Sequence, residues 1–305
     1  MEGQMLAHRC PMLLVCAFAA LGLSVDAQAQ GTSGPTTSDS RVGYIDNAIP
    51  GTLFRLRYDD AFNDRRPTRA EFFYPKSAPQ GPGLPEPESR VDFQDISAYL
   101  EYAPTERIAA FVELPVRFLN PEINANHAGF SDMNVGFKFA FLRDDESVST
   151  FQFRVYAPTG AASRGLGNHH VSLEPAFLFY QRLTERLTGE AELRAWVPIG
   201  GTDFAGNIIR YGVGVSYDHY KVCNVQFAPV AEFIGWTVLN GKTSVVLPSG
   251  DSFAESAAGQ TIVNAKLGLR ARFGDRADFY SGYGRPLTGD RWYENIFRLE
   301  FRLFF

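Results

Sequence analysis

The last eleven residues read NIFRLEFRLFF, Asn295 to Phe305, and their alternation decides the fold. Phe297, Leu299, Phe301, Leu303 and Phe305 fall on one side of an extended chain. Glu294, Arg298, Glu300 and Arg302 fall on the other, with Ile296 the exception. Successive strand side chains point to opposite sides, whereas a helix would scatter these charges around its circumference. The segment reads as a strand with one greasy face and one charged face.

Working back from it, the same period of two recurs in blocks of about ten residues from residue 52 onward. Ile96, Ala98, Leu100 and Tyr102 oppose Asp95, Ser97, Tyr99 and Glu101. Val135, Phe137, Phe139 and Phe141 oppose Asp132, Asn134 and Lys138, and Leu187, Ala191, Leu193 and Val197 oppose Glu190, Glu192 and Arg194. About twelve such strands are expected, within a range of ten to fourteen. Short links near 103–105, 143–147, 182–186, 219–224 and 274–277 alternate strictly with longer ones at 60–90, 119–130, 158–168, 198–207, 238–260 and 286–292. Short turns on one side and long loops on the other are the habit of outer-membrane barrels. The expected fold is all-β, a transmembrane antiparallel up-and-down β-barrel in the cell outer membrane. A lipocalin-like barrel or a two-sheet sandwich would instead have to bury every apolar face in one interior.

Composition agrees. The chain has 305 residues, 45% hydrophobic and 21% charged, with 26 Phe and 13 Tyr. A formal net charge of -5 gives no basic face for nucleic acid. After residue 29 no apolar run approaches the roughly 18 residues of a membrane helix. The start is different: His8 and Arg9 precede the apolar run Pro11 to Val25, and Ala27-Gln28-Ala29 follows. That is the pattern of a cleaved signal peptide over 1–29. Its removal takes away Cys10 and Cys16 and leaves Cys223 alone, so no intramolecular disulfide is expected, and no Cys/His cluster has zinc spacing. The expected organisation is then a periplasmic N-terminal segment at 30–51 and a barrel at 52–305 with a long Pro-rich extracellular loop at 60–90. Residues 30–50 have no pattern and are compatible with a periplasmic tail or with a segment tucked into the lumen.

Energetics assigns the faces. Arg or Lys on the lipid side near the midplane costs ~2–4 kcal/mol, so the charged faces line the lumen. Candidate lining residues are Asp132, Asn134, Lys138, Arg154, Glu174, Glu190, Glu192, Arg194, Lys266, Arg270 and Arg272. They either set selectivity or pair off and support the wall. Tyr58, Tyr102, Tyr217, Tyr220, Trp236, Trp292 and Tyr293 are expected at the bilayer interfaces. In the first loop Phe72, Phe73 and Tyr74, among six prolines, are candidates for a constriction or a rigid surface cover.

Two segments resemble the MetA-pathway of phenol degradation family of outer-membrane channels or transporters. Gly129-Phe130-Ser131-Asp132-Met133-Asn134-Val135-Gly136-Phe137-Lys138 is similar to its G-x-x-D-x-x-x-G-x-K strand, and Tyr156-Ala157-Pro158-Thr159-Gly160 to its strand-ending P-T-G. The resemblance covers roughly 129–200. It implies passage of small, often aromatic or hydrophobic, compounds across the outer membrane. The sequence reading is accordingly a non-enzymatic barrel for passive passage of small solutes, with no cofactor or metal. The alternatives are a closed structural or surface barrel and, third, an outer-membrane lipid hydrolase. His170 and Ser172 share a face, as a base and nucleophile would, but Leu173 and Glu174 follow where the phospholipase pattern has Asn. Expected partners are outer-membrane lipids, a small-molecule solute, and the barrel-assembly machinery through the C-terminal strand ending at Phe305; no nucleic acid is expected.

Overall fold

The computed structural model of the protein describes residues 34–64, 82–86, 88–247, 252–289 and 291–305. Twelve strands form an antiparallel barrel, hydrogen-bonded in chain order. They are β1 (Leu53–Asp64), β2 (Val91–Thr105), β3 (Ile108–Pro121), β4 (Asn134–Arg143), β5 (Ser147–Tyr156) and β6 (Val171–Arg182), then β7 (Leu187–Ile199), β8 (Ile208–Tyr217), β9 (Val225–Val238), β10 (Thr261–Phe273), β11 (Ala277–Pro286) and β12 (Asn295–Phe304). The last strand pairs with the first, from Leu53 opposite Phe304 to Phe62 opposite Asn295. Lipid offers no hydrogen-bonding partner to a sheet edge, and closure removes the edge.

The pleat sorts the side chains as the alternation predicts. Along β12, Phe297 and Leu299 are exposed while Arg298, Glu300 and Arg302 are buried. Phe137, Phe139, Phe177, Leu193, Val213 and Leu267 are exposed on the same outer surface. A continuous apolar belt of this kind belongs in lipid rather than water. β2 and β3 run 15 and 14 residues, beyond the roughly 9–11 that cross the hydrocarbon, so they extend past the bilayer. The five turns at one end are short, and this is the periplasmic side by the loop rule. In the turn after β4, Asp144 accepts hydrogen bonds from the Ser147 hydroxyl at 2.6 Å and from the Ser147 and Glu146 amides at 2.7 and 2.9 Å. These hold its carboxyl below the usual carboxylate range.

The long links carry structure that the period did not announce. His127–Phe130 folds back on the end of β3, and Lys242–Val246 pairs with Ser252–Ser256 as a hairpin beyond β9. At the other end Tyr220–Val222 pairs with the start of β9. Of the first loop, Leu84 is buried with Leu119 and Leu166, and Glu88 accepts from the amides of Glu122, Ile123 and Asn124 at 2.7–3.0 Å. That ties the first and second extracellular loops together. Phe72, Phe73 and Tyr74 lie outside the described residues.

Residues 34–50, expected as a periplasmic segment with the lumen as the other possibility, run inside the barrel. The segment starts near the periplasmic mouth, where Arg143 donates to the Pro35 carbonyl at 2.7 Å and a 3₁₀ turn forms at Thr37–Asp39. Arg41 pairs there with Asp218 of the turn after β8 at 3.1 Å. The chain then climbs to Asp46, which meets Arg154 at 2.8 Å and Arg194 at 3.1 Å, and returns to β1. Asn47 donates back to the Thr37 carbonyl at 2.9 Å and joins the two legs. On the way out the Gly51 amide donates to Glu101 at 3.1 Å.

Candidate functional site

The strands hold this inserted loop by its backbone. β7 places Glu190 and Glu192, and β9 places Glu232, on the inner face. Glu190 accepts from the Ser40 hydroxyl at 2.8 Å and the Arg41 amide at 3.1 Å. Glu232 accepts from the amides of Gly43, Tyr44 and Ile45 at 3.1, 2.9 and 2.9 Å, and Glu192 from that of Asp46 at 3.1 Å. The carbonyls are met by arginines. Those of Ser40, Arg41, Val42, Gly43 and Tyr44 accept in turn from Arg302, Arg270, Arg270 again, Arg298 and Arg210, at 2.6–2.7 Å. Irregular backbone buried in a barrel needs a partner for every polar group, and here carboxylates serve the donors and guanidinium groups the acceptors.

Space is made by glycine. On β8 a Cβ at Gly214 would sit 2.9 Å from Val42 and 3.1 Å from Ile45, and one at Gly212 3.2 Å from Ile45. These two inward positions leave the room that the loop occupies.

The charged lining also pairs with itself. Arg270 bridges Asp278 at 2.7 Å and Glu300 at 2.9 Å, and Arg302 reaches Asp278 at 2.6 Å. Arg194 meets Glu174 at 2.9 Å and pairs with Glu192. Lys138 meets Glu101 at 2.8 Å, and Asn134 donates to Glu113 at 3.3 Å. All of these are buried on the inner face. Arg272 is placed at the periplasmic end, 2.8 Å from Asp275 and 3.5 Å from Asp39. Asp132 precedes β4 and accepts from the Gly160 and Asn168 amides at 3.0 and 2.8 Å, which fastens the loop after β5. His170 Nδ1 lies 2.9 Å from the Asn168 carbonyl oxygen, which supports a structural place for that ring beside Ser172.

Above the loop tip the barrel encloses a vestibule of about 270 Å³, between Tyr44 and Asp46 below and the extracellular strand ends above. The chain's three tryptophans, Trp196, Trp236 and Trp292, all line it, together with Tyr293. This corrects the expectation for Trp236, Trp292 and Tyr293, which are 5%, 2% and 6% exposed inside the barrel rather than at the lipid interface. Trp236 shares the inward parity of Glu232, and Trp196 that of Glu190, Glu192 and Arg194; counting by two along β7 and β9 would have found both. Tyr102, Tyr217 and Tyr220 are exposed on the outer side. Beside the loop a second cavity of about 20 Å³, lined by Arg55, Tyr99, Glu101 and Lys138, has room for about one water molecule.

No protein-family model and no curated protein sequence matches the chain. Solved structures do. The COG4313 outer membrane channel from Pseudomonas putida F1 aligns with a TM-score of 0.56 at 12% identity, over 87% of this chain and 99% of that one. The beta domain of the Bordetella autotransporter BrkA aligns at 0.50 and 12% identity, over 84% and 100%. The NanC porin aligns at 0.48 and 10% identity, over 84% and 100%. At such identities the likeness is one of fold, and the fold is that of an outer-membrane β-barrel.

Proposed function

We propose that this barrel is a channel for passive passage of small solutes, hydrophobic or aromatic compounds among them, and that residues 36–50 are its closure. The observation that carries the reading is the vestibule of about 270 Å³ whose floor is a separate length of polypeptide and not the barrel wall. A wall of strand side chains can open only by deforming the barrel, whereas a loop held by hydrogen bonds can withdraw. The likeness of its fold to that of the COG4313 outer membrane channel supports the reading, as does the resemblance of 129–138 and 156–160 to a channel family. The second reading, a barrel with no open pore, draws on the same loop, since the lumen is filled as it stands.

Planar-bilayer conductance separates the two. The refolded mature protein should show brief or small openings, and a variant lacking 34–50 should show large, steady ones. A truncated barrel that folds, by heat-modifiable gel migration, and stays silent would sink the channel reading. We read the exposed terminal Phe305, whose amide donates to the Thr52 carbonyl at 3.0 Å, as the end of the strand offered to the assembly machinery.

A further inference from the structure

Most buried cations of this barrel face a carboxylate, but Lys266 does not. It stands on β10, 2% exposed, and lines the vestibule. Its ammonium donates to the Tyr293 hydroxyl at 2.6 Å and lies 3.7 Å from the Tyr44 ring centre and 5.0 Å from that of Tyr293. Among the described residues it has no ion-pair partner. Burial keeps the Tyr293 phenol well above its usual range, hence protonated and unable to neutralise the lysine.

The nearby carboxylates are engaged elsewhere. Glu232 stands directly opposite Lys266 across the β9–β10 pair, yet it accepts from three consecutive amides of the inserted loop. Asp59 is gripped by Arg298 through two hydrogen bonds of 2.6 Å. On β11 Gly284 leaves the lysine its path, since a Cβ there would come within 2.9 Å of Lys266 Cγ and 3.3 Å of Nζ.

Two further donors on the same cavity are unanswered. The indole N–H of Trp236 and the hydroxyl of Tyr44 have no hydrogen-bond partner among the described residues. A buried cation and buried donors without acceptors are costly unless something else supplies the acceptors. The surrounding surface is aromatic: Trp236 and Trp292 pack edge to face with centres 4.5 Å apart. Such walls favour a flat ring in offset or edge contact.

We propose that the vestibule binds a small aromatic carboxylate, its anionic end on Lys266 and its ring against Trp236 and Trp292. The inference rests on the vestibule as the outer entry of the proposed channel and names the class of solute it selects.

The test uses the full mature protein, refolded in detergent, and the fluorescence of its three tryptophans, with calorimetry as a second readout. Benzoate is compared with benzyl alcohol, which keeps the ring and lacks the charge, and with hexanoate, which keeps the charge and lacks the ring. A charge-assisted contact predicts benzoate binding about tenfold to a hundredfold tighter than benzyl alcohol. Lys266→Met should abolish that preference and Lys266→Arg should keep most of it, both variants checked for heat-modifiable folding. Equal binding of benzoate and benzyl alcohol, or a preference that survives Lys266→Met, overturns the proposal; hexanoate binding as tightly as benzoate overturns its aromatic half. A silent barrel that still prefers benzoate would retire the channel and keep the site, while a conducting barrel without the preference would do the reverse.

Discussion

Gly43 sits where any side chain would strike Tyr280, because a Cβ there would lie 2.2 Å from the ring. Rigid backbone on one side and a buried ring on the other leave little room to relax. Gly43→Val should therefore unseat the loop tip without harming the barrel. The expected outcome is faster proteolysis near residues 34–50 and higher conductance, with unchanged gel migration; a protected segment and unchanged currents would contradict it. Asp132 offers a contrast. Its two oxygens serve the amides of Gly160 and Asn168, so Asp132→Ala should loosen the loop at 157–170. Removing a buried charged acceptor costs about 1.5–3 kcal/mol, here confined to the extracellular end. Limited proteolysis in that loop should rise while ion preference stays the same; a shift in ion preference would instead make Asp132 part of the selective lining.

At the scale of the strand, the period of two decides nearly everything. It separates Phe297 from Arg298 and Val213 from Gly214 before any contact is known. Val213 is exposed near the middle of β8, so Val213→Arg should destabilise the barrel by about 2–4 kcal/mol. Denaturant titration in lipid vesicles checks this, and an unaffected midpoint would place that face away from lipid. The same period carried a sign of the filled lumen that is easy to pass over. Gly212 and Gly214 take inward positions where neighbouring strands put Glu190, Glu192 and Glu232, and missing side chains in a row leave room for something. What fills it was not legible, because GPTTSDSRVGYIDNAIP, residues 34–50, has no period and is held mainly by backbone groups common to every residue. Trp236 lies near a strand end, where interfacial rings gather, but its parity with Glu232 turns it inward.

Taken whole, the molecule has two unlike ends. The periplasmic end is closed by short turns and the roots of the inserted loop, and the extracellular end carries the vestibule beneath loops joined through Glu88. Cys223, exposed in the turn after β8, gives a single-site test of that polarity once residues 1–29 are removed. A membrane-impermeant maleimide should label it in opened spheroplasts and leave it unlabelled in intact cells; labelling of intact cells would invert the barrel.

The clasp on residues 40–46 touches mainly amides and carbonyls, so the barrel behaves as a receptor for a peptide main chain whose ligand happens to be tethered to it. A tether of a few residues raises the effective concentration into the millimolar range, so that even a weak grip keeps the lumen occupied. Cutting the tether would turn a structural element into a dissociable inhibitor. Its side chains are then free to change, without loss of the fit, only where they meet neither Tyr280 nor the glycines of β8 and are not Ser40, Arg41 or Asp46, whose side chains bond to the wall and its turns.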